Sequence, residues 1–339
     1  MFFRLFTMNV AIIGYGYWGP NLVRNFWKNQ NFKVTHVVDF ENSKLKLVNR
    51  DYPTILTTTN YNDILKNPSI DCVVIATPVH THYKLAKQAL KSKKHVLIEK
   101  PLTNSYNTAK ELVKLAKKLN LILIVDNTYL YTSAIQKISQ IINKTTFGKI
   151  QYIDSTRINL GKFQSDVNVL WDLATHDISI CLHLLKEIPL SVQAIGKSHT
   201  KSGMADIAYL TLHFKSNRMA HFNCSWISPV KIRHMLIGGT KRMIVFNDLE
   251  STEKVKVYDS GYEEKTIKSN KFLTDYRVGD VYVPKLEMTE GLSNLVSDFA
   301  SAIKSKKIPI SNNKLSLMTV KILESAEKSL NNNGRIIKL

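Results

Sequence analysis

Four groups of residues in this chain have the types and spacing of working chemistry. Gly14-Tyr15-Gly16-Tyr17-Trp18-Gly19 sets three glycines at GxGxxG spacing. In such a turn the first glycine permits a tight bend, the second lets a diphosphate approach the backbone, and the third lets a helix pack on a strand. Asp39 follows at the distance where an acid holds the ribose hydroxyls of adenosine; a carboxylate there repels a 2′-phosphate and favours NAD over NADP, although Lys44 and Lys46 lie near it. The plainer alternative for Asp39 is a turn or capping aspartate. Glu99-Lys100-Pro101 closes an apolar run with a charged pair, which reads either as a site lysine or as a surface ion pair. Asp172 and His176, four apart, share one face if the segment is helical, and a carboxylate beside an imidazole fixes its tautomer for proton transfer. The plainer alternative is a capping aspartate beside an unrelated histidine.

The elements that must position these residues follow from periodicity. The chain has 339 residues, 44% hydrophobic and 22% charged, enough for two cores. Short β-branched runs at Asn9-Ile13, Lys33-Val38, Thr54-Leu56, Asp71-Ala76, His95-Ile98 and Leu121-Val125 alternate with amphipathic stretches starting near Trp18, Ser43, Asn60, Thr81 and Ser105. That alternation predicts a doubly wound parallel α/β sheet of the Rossmann type over residues 1–126, with Ser43, Asn60 and Ser105 as N-caps. The glycine turn then follows a strand and opens a helix, with Pro20 in the first turn where its missing N–H is harmless.

Residues 127–339 predict an α+β domain. A helix near Ser133–Asn143 precedes a strand at Ile150–Ile158 and a helix at Trp171–Lys186. Alternating strands near 191–199, 207–214, 219–227, 231–238 and 241–246 predict an open, mainly antiparallel sheet, and Leu286–Ile303 and Leu315–Leu330 predict closing helices. Gly161–Asn168 and Val255–Pro284 read as loops.

The net charge of +20 raises the possibility of nucleic acid. The lysines, however, spread along the chain on amphipathic faces without aromatic interleaving, so a solvated basic surface is the expectation and no nucleic-acid partner. Cys72, Cys181 and Cys224 lie in separate apolar segments without metal-ligand spacing, which predicts neither disulfides nor a metal and suits a reducing cytoplasm. No apolar run approaches the roughly 20 residues of a membrane helix. Met1 to Thr7 reads as a short extension ahead of a start at Met8. A broad sheet face predicts self-association as a homodimer or homotetramer.

Together, the glycine turn, Thr77-Pro78-x-x-x-His82, Glu99-Lys100-Pro101 and Asp172-x-x-x-His176 resemble the glucose-fructose oxidoreductase/inositol dehydrogenase (Gfo/Idh/MocA) family over nearly the whole chain. The resemblance implies a Rossmann domain joined to an open-sheet domain, with the nicotinamide of NAD between them. It implies Lys100 as the main acid/base group, Asp172 and His176 as its partners at a sugar hydroxyl, and a cis peptide before Pro101. Gly14, Gly16, Tyr17, Trp18, Gly19, Asp39, Thr77, Pro78, His82 and Glu99 would then line the cofactor. The chain departs from the broad pattern where glycines often flank the Asp/His helix, having Val169-Leu170-Trp171 and Ala174 there.

That departure, with Arg157-Ile158-Asn159 and with Tyr17 and Trp18 in the turn, is similar to the nucleotide-sugar branch. The branch implies oxidation at C3 of UDP-N-acetylglucosamine to a 3-keto sugar, with a pyridoxal-phosphate aminotransferase downstream in cell-surface polysaccharide or lipid A sugar synthesis. Arg157, Asn159 and Trp171 are the expected substrate contacts, Arg157 being equally readable as a strand-edge surface residue. A uronate form of the same sugar, reduction of a 3-keto deoxysugar, and a redox-silent NAD-binding protein stay open.

Overall fold

A computed structural model describes residues 7–161, 163–164, 167–201, 203–267 and 271–339, with the side chains of 263–273 left aside. Most of the expected N-terminal extension (1–6) and parts of the two expected loops (162, 165–166 and 268–270) lie outside the described residues. The first strands are β1 (Met8–Ile13), β2 (Phe32–Val38), β3 (Leu56–Thr58), β4 (Cys72–Ile75), β5 (His95–Glu99) and β6 (Leu123–Asp126). Helices α1 (Gly19–Lys28), α2 (Asn42–Asp51), α3 (Tyr61–Lys66), α4 (Val79–Lys91) and α5 (Tyr106–Lys118) alternate with them. The six strands are all parallel, in the order β3-β2-β1-β4-β5-β6. Both faces of such a sheet are covered, so β1 is apolar throughout its centre, with Val10, Ala11 and Ile12 fully buried. The order reverses between β1 and β4, and ligands of open α/β sheets bind at that point, outside the carboxyl ends of the strands.

Strand bounds shift by one or two residues from the sequence expectation, most at β3, which begins at Leu56. Of the three expected N-caps only Asn60 caps with its side chain, accepting the Asn62 N–H at 3.1 Å. Ser105 occupies the cap position of α5 without a side-chain bond, and Ser43 lies inside α2, whose cap position is Glu41.

Beyond a short 3-10 turn (Thr128–Tyr131) come α6 (Ser133–Ile142) and β7 (Ile150–Leu160), then a π-helical turn, Leu170–Ala174, leading into α7 (Thr175–Leu185). Strands β8 (Ser191–Lys197), β9 (Ile207–His213), β10 (Met219–Ser225), β11 (Ile227–Gly239), β12 (Met243–Asn247) and β13 (Val255–Tyr258) follow. After the ribbon β14 (Gly261–Ile267) and β15 (Lys271–Arg277) come β16 (Val281–Tyr282), α8 (Gly291–Ser305), α9 (Asn313–Leu330) and β17 (Ile337–Lys338). Nine strands form a sheet in the order β16-β13-β12-β11-β7-β10-β9-β8-β17, antiparallel except for β7 beside β10. Its inner face is apolar by strict alternation: Ala208, Leu210 and Leu212 on β9 and Ala220, Phe222 and Cys224 on β10 are all buried.

The 255–284 region is a correction, since β13 to β16 occupy much of what reads as loop. Asp259 explains why: it accepts from Arg242 and Arg277, both at 2.7 Å, and those two guanidiniums push its carboxyl down to about 2. The ribbon begins on cross-strand ion pairs rather than on an apolar stripe, so no hydrophobic period announces it.

The chain forms two compact units, residues 1–132 with 289–321, and residues 133–288 with 322–339. The return of 289–321 to the first unit is visible in the core, where Phe299 of α8 stacks on Phe32 at 5.7 Å and meets Phe26 edge-on at 6.4 Å. Arg24 and Glu290 add a bidentate pair at 2.7 and 2.8 Å.

His95 opens β5 with its ring Nδ1 accepting the Ile122 N–H at 3.0 Å, so the fold holds the neutral imidazole. Burial lowers the pKa of His95, and of His36 and His183, below the ordinary 6.5. The unfolded chain therefore takes up protons that the folded chain refuses, and stability is complete above pH 6.5 and declines as pH falls through the window beneath it. We expect the urea midpoint to drop between pH 7.5 and pH 5 by less in His95→Asn than in the parent, because the asparagine has no proton to gain. Identical pH profiles would remove His95 from this linkage.

Candidate functional site

The turn after β1 makes contacts at Gly14 and Gly19 that only glycine permits. Gly14 has φ of +98°, and a Cβ there would stand 2.6 Å from the Ala76 carbonyl oxygen. A Cβ on Gly19 would stand 2.4 Å from the Gly14 carbonyl oxygen, so the start of α1 presses directly on the turn. At Gly16 a Cβ would meet nothing within 4 Å. This open side adjoins the N-terminus of α1, where Pro20 sits in the first turn and no side chain caps the helix. A dinucleotide diphosphate fits both features, the clear approach at Gly16 and the uncapped helix start.

Asp39, just past β2, is 6% exposed and takes two backbone donors, the Tyr15 N–H at 2.7 Å and the Glu41 N–H at 2.9 Å. Lys44 lies 3.9 Å from it and 2.7 Å from Glu41. The acid thus braces the glycine turn as well as marking the expected ribose position. Tyr17 is almost wholly exposed, whereas Trp18 donates its indole N–H to Asp126 at 3.1 Å.

Thr77 and Pro78 follow β4 at the same sheet edge, with the Thr77 hydroxyl 2.6 Å from that of Thr81. His82, expected to line the cofactor, is buried between two strand ends. It is 1% exposed, and its two ring nitrogens lie 2.8 Å from the Thr77 carbonyl and 2.9 Å from the Pro101 carbonyl. His82 therefore ties the end of β4 to the turn after β5, and burial pushes its pKa down against the pull of those carbonyls. The Lys100–Pro101 peptide is cis. Glu99 ends β5 with Lys100 directly after it, and Glu99 stands in register beside Asp126 of β6. Burial, and next the neighbouring Asp126 charge, hold the Glu99 carboxyl well above the usual range.

In the second unit Asp172 lies within the π-turn and His176 in the first turn of α7. This corrects the expected uninterrupted α-helix: a π-turn encloses one more residue per hydrogen-bonded ring, and such turns recur at functional sites. Asp172 accepts the indole N–H of Trp226 at 3.0 Å. Trp226 is buried, meets Phe163 edge-on at 5.6 Å, and leaves no room for a Cβ at Gly161, which would stand 2.6 Å from its ring. The same Cβ would lie 3.2 Å from the Asn159 amide nitrogen, which places Asn159 beside this cluster.

Trp171 and Arg157 are not where substrate contacts were expected. Trp171 is 3% exposed with its indole N–H 3.3 Å from Glu327, and Arg157 is 3% exposed in a bidentate pair with Asp177 at 2.7 and 2.9 Å. Both are spent inside the unit. Trp226, Glu327, Asp126 and Asp177 were missed by sequence reasoning. A lone tryptophan closing the apolar run Phe222-Asn223-Cys224-Ser225-Trp226 was the one available hint. Among the described residues no group of three or more His, Cys, Asp or Glu side chains is placed to hold a metal, and no helix is long and apolar enough to cross a membrane.

Two contrasts test this geometry. Gly16→Ala should leave thermal stability unchanged and weaken NADH binding by about tenfold, while Gly19→Ala should lower both, because only the second methyl meets protein. Equal stability loss in the two would contradict the open approach at Gly16. Arg157→Met strands the buried Asp177 carboxylate and should destabilise the protein by about 3–5 kcal/mol in denaturant unfolding; a change under about 1 kcal/mol would mean the pair is not buried as described.

Comparison with known proteins agrees with this architecture. The model of an oxidoreductase family with an NAD-binding Rossmann fold matches residues 8–127, and the Gfo/Idh/MocA C-terminal domain matches residues 135–245. A 2,7-anhydro-N-acetylneuraminate hydratase from Escherichia coli is 26% identical over 266 residues, 74% of this chain and 70% of its own length. A UDP-N-acetylglucosamine 3-dehydrogenase from Acidithiobacillus ferrooxidans is 29% identical over 193 residues, 57% of this chain and 59% of its own length. A solved structure of a UDP-N-acetylglucosamine 3-dehydrogenase from that organism superposes with a TM-score of 0.82 over 96% of this chain and 98% of that one, at 21% identity, a likeness of fold. The cofactor is NAD, and the chain belongs to the Gfo/Idh/MocA family of oxidoreductases.

Proposed function

We propose that this oxidoreductase oxidises the C3 hydroxyl of a nucleotide-linked hexosamine, UDP-N-acetylglucosamine in the first instance, to the 3-keto sugar. The observation that carries the reading is Lys100, directly after β5 at the carboxyl edge of the sheet that also bears the glycine turn. NAD, when bound, supplies the hydride acceptor. Lys100 is the group that takes the hydroxyl proton, and His176 of the second unit supplies an imidazole for proton transfer. Asp172, held by the Trp226 indole, presents its carboxylate from the turn before His176. The 29% identical dehydrogenase supports the sugar. A pyridoxal-phosphate aminotransferase would consume the ketone in the cytoplasm, as a step of cell-surface polysaccharide or lipid A sugar synthesis. The outer face of the nine-stranded sheet, with Tyr152, Ile195, Tyr209 and Met219 exposed, is the surface for a homodimer or homotetramer.

A second reading is addition or removal of water on a sugar acid by the same groups, favoured by the longer match to the hydratase. Incubation with NAD and a panel of UDP- and dTDP-sugars, followed by NADH absorbance and mass detection of a 3-keto product, separates the two. NADH and ketone formed together support oxidation, and water transfer with no net NADH supports the second reading. Lys100→Met should lower turnover at least about a hundredfold, within the range of general-base catalysis, while retaining NADH binding. Undiminished turnover would remove Lys100 from the chemistry.

A further inference from the structure

Beneath the cofactor turn two carboxyl groups lie side by side. Glu99 ends β5 and Asp126 ends β6, paired in register on adjacent parallel strands, so their side chains leave the sheet on the same face. Asp126 is 2% exposed and both its oxygens already accept, Oδ2 from the Trp18 indole N–H at 3.1 Å and Oδ1 from the Thr128 hydroxyl. It has the surroundings of a carboxylate. Glu99 has the opposite surroundings: its Oε1 is out of contact with solvent and has no hydrogen-bond partner among the described residues. Two carboxylates in one site cannot both ionise; Glu99, which takes the Lys100 backbone N–H but has an oxygen with no donor, keeps the proton, while both oxygens of Asp126 accept.

We propose that Glu99 and Asp126 are positioning residues that hold one proton between them. This shared proton keeps Asp126 on the Trp18 indole, so that the cofactor turn and the strand end bearing Lys100 are held as one piece. Glu99 donates its O–H to Asp126, completing three donors around that carboxylate: an indole from the glycine turn, a hydroxyl from the 3-10 turn after β6, and a carboxylic acid from β5. Removing the proton places two negative charges in contact, and the least costly relief is for Asp126 to release Trp18, the N-cap residue of α1. NADH affinity then falls as pH rises through the raised value of the pair. The charged and titratable groups around it are Lys100 just past the end of β5, His82 of α4 against the Pro101 carbonyl, and Tyr131, whose hydroxyl donates to Asp298 of α8. Lys100 lowers the Glu99 carboxyl and Asp126 raises it, with burial the larger influence.

The test is NADH binding by fluorescence titration from about pH 6 to about pH 10, a span that covers a strongly raised carboxyl, with thermal unfolding at each pH as a check on folding. The parent should lose affinity by at least about fivefold along a one-proton alkaline limb. In Glu99→Gln, which keeps a donor toward Asp126 and has no proton to lose, the limb should vanish. In Asp126→Asn, which removes the charge that raises Glu99, it should move to lower pH. Lys100→Met should retain it, which separates the pair from the lysine. A parent without the limb, or Glu99→Gln with the parent's limb, would overturn the proposal. No sugar enters the measurement, so the outcome is independent of the substrate assigned above.

Discussion

The Gly14 carbonyl and the first residue of α1 approach so closely that no side chain fits between them, and the first unit is organised around that approach. It fixes where α1 starts, and hence that an uncapped helix N-terminus faces the open backbone at Gly16. The surrounding strand ends are then tied to this point in turn. Asp39 reaches back to Tyr15 from the end of β2, Trp18 reaches across to Asp126 at the end of β6, and His82 fastens the end of β4 to the turn that carries Lys100. Each tie joins residues distant in sequence, and each spends a polar group that an isolated motif would assign to a ligand.

That double use explains what was legible in the sequence. The parallel sheet could be read because its strands are buried on both faces and appear as unbroken apolar runs between helical periods. The glycine turn could be read because its spacing and its strand-to-helix context coincide. Arg157 reads as a substrate contact from the resemblance to the nucleotide-sugar branch, and its partner Asp177 lies on another element with nothing local to announce it. Trp171 and His82 also come from resemblance, and a motif does not show their partners, Glu327 for the first and the Thr77 and Pro101 carbonyls for the second.

The second unit shows a different limit. The π-turn at 170–174 departs from an α-helix by a single residue per ring, less than a hydrophobic period can resolve over so short a segment. The ribbon after β13 was invisible because it starts on Asp259 between two arginines, and charge pairing leaves no periodic trace. In both cases the backbone is set by individual contacts rather than by pattern.

The π-turn also makes chain length a property of the site. Each residue of a helix advances it by about 100°, so deleting one residue between Asn168 and Thr175 to regularise the helix would swing Asp172 off the Trp226 indole while leaving composition and hydropathy almost untouched. Homologues that keep both the aspartate and the histidine but lack the extra residue would hold the same side chains at a different azimuth. For this family, the count of residues between Asn168 and the start of α7 is therefore as informative about the carboxylate's aim as the identity of the carboxylate itself.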